Sequence, residues 1–147
     1  DIPQDNPLKA IGVGLSDRVS EAYIALSFSQ ACKEIIHLVT TSNKYIDEQA
    51  PWTLYKQGEQ TKVEAVLYSI LESIRLSAYL LSPITPTLSS NIYQQLGFQV
   101  DFNKPSSLTQ EISYNLHKCW GILPSLQPLG EAKPVFLRLE LPEENPL

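Results

Sequence analysis

Apolar residues recur three or four positions apart along most of the first hundred residues, the spacing of one face of an α-helix. Two long stretches with this pattern predict the main helices, over residues 29–49 and 61–81. The apolar positions of the first are Phe28, Ala31, Ile35, Leu38, Val39, Tyr45 and Ile46. Those of the second are Val63, Val66, Leu67, Ile70, Leu71, Ile74 and Ala78, a face wide enough for a central helix.

Shorter helices are predicted beside these two. One is capped by Ser16 or Asp17 and runs to about Leu26, and another carries Leu88, Ile92 and Leu96 before a left-handed cap at Gly97. A further one or two turns are expected over 109–116. We therefore predict an all-α fold in one domain. It comprises a lead-in loop over 1–14, an antiparallel helix bundle over 16–97, and a loop, short helix and extended Pro-rich C-terminal strap over 98–147.

A sharp corner is predicted after the first long helix. Pro51 has no amide hydrogen and disfavours helical backbone at Ala50, so that helix should end near Gln49. Trp52 would then bury its ring against neighbouring helices, and residues 52–56 would add one helical turn. On this interpretation the corner is a structural device.

Composition excludes several classes of function. The net charge of −5, with 11 scattered cations, argues against a broad electrostatic nucleic-acid binder, although single-stranded loops can be bound by stacking and base-edge contacts. The apolar runs are too short for a membrane span, and two cysteines far apart in sequence favour a reducing cytosol. Together with His37 and His117 these cysteines do not have zinc-finger spacing, so no metal site is predicted. The absence of any methionine indicates a processed protein or a piece of a longer one.

Catalytic motifs are absent from the sequence. There is no phosphate-binding loop, no nucleophile between glycines, and no paired histidines of a zinc protease. The adjacent carboxylates Asp47–Glu48 and Glu143–Glu144 do not converge, because neighbouring helical residues point about 100° apart. We therefore expect no catalysis by this chain alone.

The string N-K-Y-I-D-E-Q-A-P-W from Asn43 to Trp52 resembles the N-R/K-Y-I/V-D-x-x-x-P-W segment of the anticodon-binding domain of methionyl-tRNA synthetases, which are class I enzymes. The corner residues that carry this resemblance are Asn43, Asp47, Pro51, Trp52 and Lys56. The resemblance covers about residues 16–140. It implies the helix bundle of that domain type, recognition of the CAU anticodon of tRNA(Met), and a catalytic domain in the same polypeptide. That domain would join methionine to tRNA using ATP and magnesium; no cofactor is expected in this chain.

A second match lies near the C-terminus. The residues Trp120-Gly121-Ile122-Leu123, then Gly130 and P-V-F-L-R-L-E, resemble the W-G-x-L … P-L-F-x-R-I-E closing segment of the same enzymes. In that resemblance Trp120 takes the position of a tryptophan that stacks on the first anticodon base, a cytosine, with Lys118 and Cys119 beside the RNA. The alternative is that Trp120 packs as ordinary core.

The resemblance also places the two long helices side by side. If Arg75 is buried on the second, it needs a carboxylate partner, and Asp47 is the candidate; the alternative is a solvated Arg75. The N-L-x-N-R-type helix that precedes this region in the family has no counterpart in residues 1–30. We therefore expect weak RNA affinity, and self-association through the apolar groove that this helix would fill.

Two other interpretations remain open. The first is the anticodon-binding domain of a related synthetase for Ile, Val, Leu or Cys, since the P-I-T-P-T-L-S-S-N-I-Y-Q-Q-L-G block from Pro83 to Gly97 is common to that superfamily. The second is a helical protein-interaction module without RNA binding. A buried Trp120 beside an exposed apolar groove favours the module, whereas an accessible Trp120 near cations favours RNA.

Overall fold

A computed structural model describes residues 6–104, 106 and 112–136. These residues form seven helices: α1 Pro7–Gly12, α2 Leu15–Ile24, α3 Phe28–Gln49, α4 Pro51–Lys56, α5 Gln60–Leu81, α6 Pro86–Gln95 and α7 Tyr114–His117. They include no strand, which confirms the all-α class. Helix α5 lies at the centre, in contact with α1, α3, α4 and α6, while α2 packs on α3.

The two long helices lie where the apolar pattern predicts them. On α3 the residues Ala31, Ile35 and Leu38 are fully buried, whereas Phe28 is 53% exposed and the prediction for it is wrong. On α5 the buried face also includes Ser69 and Ser73, whose hydroxyls donate to carbonyls one turn earlier, at 2.7 and 2.8 Å. Because these serines satisfy their own hydroxyls, they can be buried without appearing in an apolar pattern.

Residues 7–12 are helical, which corrects the predicted lead-in loop. Asn6 caps α1 because its side-chain oxygen accepts from the amide of Leu8 at 2.9 Å, and its Nδ2 donates to Ser69 Oγ at 2.7 Å. Leu8 is fully buried in the main core, the apolar cluster to which α1, α2, α3 and α5 all contribute. A six-residue helix is unstable alone, so these tertiary contacts stabilise it where the local Pro and Gly signals predict a loop.

Helix α2 ends two residues earlier than predicted, and Leu26, the predicted last residue, is 74% exposed. The chain leaves α2 through a Schellman turn, in which the amide of Ser27 donates to the Ala22 carbonyl at 2.8 Å and that of Leu26 to Tyr23 at 3.0 Å. Leu26 takes the left-handed position of this turn, at φ 56°.

The chain after α7 is irregular and follows the end of α6. Gly130 donates its amide to the Gln95 carbonyl at 2.8 Å, and Gln95 Nε2 donates to the Lys133 carbonyl at 2.7 Å. Gly97 has the predicted left-handed conformation, at φ 91°. The helical turns predicted over 109–116 are present in part as α7, and residues 109–111 lie outside the described residues. The predicted strap beyond residue 136 lies outside them as well, so the strap and the single-domain division stay predictions. None of the described helices is both long and apolar enough to cross a membrane.

Candidate functional site

The corner between α3 and α4 has the predicted backbone. Helix α3 ends at Gln49, and Ala50 lies in the left-handed region at φ 43°, ψ 63°. Pro51 is buried as the first residue of α4, where a missing amide hydrogen costs nothing. The Ala50 carbonyl then accepts from the amide of Thr53 at 2.8 Å and starts the new helix. The chain therefore changes direction within one residue.

Trp52 does not pin this corner, which corrects its predicted packing role. Its side chain is 54% exposed, and Leu54 is the α4 residue that packs against the main core. Positions three apart on a helix share a face, so Pro51 and Leu54 take the inward side of the single-turn helix. That register leaves Trp52, Tyr55 and Lys56 on the outward side, where all three are exposed.

The outward face of α4 is chemically unusual for a free surface. It combines an indole at position 52 with a phenol and an ammonium group three and four residues later, one helical turn away. Within the part of the chain that the structure describes, none of these three side chains has a hydrogen bond or ion pair. Asn43 and Asp47, four residues apart near the end of α3, are exposed as well. Of the corner residues predicted from the sequence, only Pro51 is buried.

Trp120 lies between the helices instead of on an open face. It is partly buried against the main core, and its indole Nε1 is buried without a hydrogen-bond partner among the described residues. The six-membered part of the ring packs on Gly12 at the end of α1, so closely that a methyl group there would overlap Cε3. Trp120 thus joins α1 to the chain that follows α7, and we refer to residues 118–123 as the anchored segment.

This segment is anchored by a buried carboxylate on α5. Glu72 is completely buried and forms a double hydrogen bond with Arg75, at 2.7 and 2.9 Å. The same carboxylate accepts from the backbone amides of Gly121 at 2.7 Å, Ile122 at 3.3 Å and Leu123 at 3.1 Å. Gly121 has φ 89°, which the turn around Glu72 requires. These contacts explain the W-G-I-L sequence as an anchor for the chain.

The guanidinium of Arg75 binds the other end of the segment. Its Nη1 donates to the His117 carbonyl at 2.9 Å and to the Tyr93 hydroxyl at 3.1 Å, and its Nη2 donates to the Cys119 carbonyl at 2.6 Å. Tyr93 Oη also lies 2.9 Å from His117 Nδ1. Burial lowers the pKa of Arg75, but the bond to Glu72 raises it, and the net direction is upward. Arg75 is therefore a charged, fully paired cation at the centre of the fold.

The sequence analysis predicted the wrong ion-pair partner for Arg75. Asp47 is exposed on α3, whereas Glu72 lies three residues before Arg75 on the same helix. The spacing itself was the available signal, because residues three apart on a helix form ion pairs. We refer to Glu72, Arg75, Tyr93 and His117 as the buried polar network.

The other predicted RNA-binding residues belong to the anchored segment. Lys118 is partly buried, with its ammonium 5.2 Å from the centre of the Tyr114 ring. Cys119 exposes its thiol, but its carbonyl is held by Arg75. The structure therefore groups Trp120, Lys118 and Cys119 on one segment. This segment is far from the Trp52 corner in sequence, and the buried polar network binds its backbone.

We expect Gly12→Ala to lower the free energy of unfolding by about 1–3 kcal/mol, because the new methyl group overlaps the Trp120 ring. Alanine is otherwise the better helix former, so a loss of stability isolates the clash. Urea unfolding followed by circular dichroism measures the change. Lys9→Ala, at an exposed position of the same helix, is the matched control and should change stability by less than about 0.5 kcal/mol. An unchanged Gly12→Ala would contradict the packing of Trp120 on α1.

Residues 14–122 match the family described as the anticodon-binding domain of tRNA ligase. The chain is also similar to the methionine–tRNA ligase of Synechocystis, at 58% identity over 146 residues, 99% of this chain and 27% of the relative. The methionine–tRNA ligase of Nostoc is 54% identical over 95% of this chain and 26% of its own length. The chloroplastic/mitochondrial enzyme of Arabidopsis thaliana is 39% identical, over 96% and 23%. The chain spans about a quarter of these relatives, and it belongs to the anticodon-binding domain family of tRNA ligases.

Proposed function

We propose that this chain binds the anticodon loop of a tRNA, and that an unpaired base of the loop stacks on the exposed face of Trp52. The observation that carries the proposal is the 54% exposure of this indole, which has no polar partner among the described residues, in a member of an anticodon-binding family. Trp120 is the less suitable platform, because its ring is partly occupied by Gly12 and the main core.

Stacking suits a protein of this charge. A base on an aromatic ring contributes about 1–3 kcal/mol whatever its identity, and it needs no broad basic surface. Lys56 lies one turn after Trp52 on α4 and supplies a single cation for a phosphate. A net charge of −5 therefore fits a small binding site that holds a few unpaired nucleotides.

Base selection requires polar groups beside the stacked ring. Asn43 presents an amide with both donor and acceptor atoms, and Asp47 presents acceptors, on the exposed end of α3 that leads into the corner. A cytosine offers an amino donor, a ring-nitrogen acceptor and a carbonyl acceptor on its pairing edge. We propose these two side chains as readers of the first anticodon base.

The relatives named methionine–tRNA ligase support a parent protein of the same kind. We propose that it joins methionine to tRNA(Met), with a CAU anticodon, through a catalytic domain in the same polypeptide that uses ATP and magnesium. The catalytic chemistry would take place outside this chain, whose sequence has none of the motifs for it. Self-association through an apolar groove stays a prediction, and sedimentation at high concentration tests it.

We expect Trp52→Ala to weaken binding of a CAU anticodon stem-loop roughly five- to hundredfold, because the base loses its stacking surface. Fluorescence anisotropy of a labelled stem-loop measures the dissociation constant. Trp52→Phe keeps an aromatic face and should lose less affinity than Trp52→Ala. Thr53→Ala, an exposed neighbour on α4, is the matched control and should bind as the wild type does. Equal affinity of Trp52→Ala and wild type would contradict the stacking role of Trp52.

A further inference from the structure

The single turn of α4 carries two aromatic side chains on its outward face. Tyr55 follows Trp52 by three residues, so the two rings lie on the same side of the helix, with Cβ atoms about 5–6 Å apart. Pro51 and Leu54 occupy the inward side. The arrangement places a second π surface directly beside the proposed stacking site.

Tyr55 differs from the other six tyrosines, all of which lie in the described part of the chain. Four of them have hydroxyls hydrogen-bonded within the protein: Tyr23, Tyr68, Tyr79 and Tyr93. Tyr45 is buried, and the Tyr114 ring stacks on that of Tyr79 with centroids 6.4 Å apart. Tyr55 is 69% exposed and has neither a hydrogen bond nor a ring contact among the described residues. Its packing in the fold therefore gives no reason for an aromatic residue at this position.

Charge indicates the kind of ligand that fits this face. Lys56 follows Tyr55 directly, is exposed, and has no ion pair within the described residues. An ammonium beside two uncovered rings favours a ligand that combines flat bases with phosphates. Splayed-out bases of single-stranded loops bind aromatic side chains in this way.

We propose that Tyr55 is a second stacking platform, which holds the unpaired base next to the one on Trp52, with Lys56 at a neighbouring phosphate. The inference rests on the proposed function, because it assumes that the anticodon loop lies on this face. It adds that the domain binds two adjacent bases with two rings, so that Tyr55 contributes to affinity independently of base identity.

A coupling experiment tests this proposal. The dissociation constants of wild type, Tyr55→Ala, Tyr55→Phe and Trp52→Ala are measured with the CAU stem-loop and with stem-loops that carry one abasic position each. We expect Tyr55→Ala to bind the intact loop at least about fivefold more weakly, and Tyr55→Phe to bind nearly as the wild type does. One abasic position should have no further effect on Trp52→Ala, which identifies the base that stacks on Trp52. We expect the abasic position next to it to weaken binding by the wild type but not by Tyr55→Ala.

Each failure has a distinct meaning. If Tyr55→Ala binds as the wild type does while Trp52→Ala is weakened, the second platform is refuted and the proposed function stands. If every abasic position weakens Tyr55→Ala as much as it weakens the wild type, Tyr55 does not stack on a base and the inference is again refuted. If neither alanine variant changes affinity, or the wild type shows no binding, the proposed function is wrong and the inference with it. Thr53→Ala and thermal unfolding curves control for changes in the fold of α4.

Discussion

Glu72→Gln is expected to lower the free energy of unfolding by about 3–5 kcal/mol, although it changes only one atom of the side chain. Glutamine removes the negative charge that neutralises the completely buried Arg75 guanidinium. It also replaces one of the two carboxylate oxygens with an amide nitrogen, which cannot accept the backbone amides of Gly121 or Leu123. A buried cation and unpaired amides remain, and both are costly in a low-dielectric interior.

Guanidinium unfolding followed by circular dichroism measures this loss. Glu64→Gln provides the matched control, since Glu64 is exposed on the same helix and its carboxylate accepts from Gln60 Nε2 at 2.8 Å, a bond at the surface. The control should change stability by less than about 0.5 kcal/mol. A Glu72→Gln protein within 1 kcal/mol of wild type would show that the buried polar network does not hold the fold as described.

Trp120→Ala is expected to lower the free energy of unfolding by about 3 kcal/mol, the lower end of the range for removing a large aromatic side chain, because Trp120 is only partly buried. The variant leaves a cavity between Gly12 and the segment that Glu72 anchors. The same measurement on Trp52→Ala should show a loss of less than about 1 kcal/mol, since that ring is largely exposed.

The two tryptophan variants also separate stability from binding. At a temperature where Trp120→Ala remains folded, its affinity for the CAU stem-loop should equal that of wild type. A folded Trp120→Ala protein with a large loss of affinity, and no loss of stability, would return the stacking role to Trp120.

Periodicity of apolar residues was sufficient to predict the long helices α3 and α5, because each buries one face along most of its length. It was insufficient for α1, where tertiary contacts of Asn6 and Leu8 stabilise a short helix with weak local signals. The exit from α2 was also missed, since nothing in the sequence marks Leu26 as a left-handed residue.

The candidate site was harder to predict because it depends on the rotation of one helical turn. The chemistry of proline was sufficient to predict the corner at Pro51. The side of α4 that faces the core, however, is set by Leu54 and not by the larger Trp52. Glu72 was missed for a related reason. The three-residue spacing to Arg75 could have indicated the ion pair, but the three backbone partners of Glu72 come from a segment about fifty residues later, and those hydrogen bonds leave no local sequence signal.

We expect RNA to contact Trp52 and not Trp120, and the fluorescence of two single-tryptophan proteins distinguishes the two sites. The Trp120→Phe protein reports on Trp52 alone, and the Trp52→Phe protein reports on Trp120 alone. During titration with the CAU stem-loop, we predict strong quenching of the Trp52 emission by the stacked base and an unchanged Trp120 emission. Quenching of Trp120 with an unchanged Trp52 signal would contradict the proposed site.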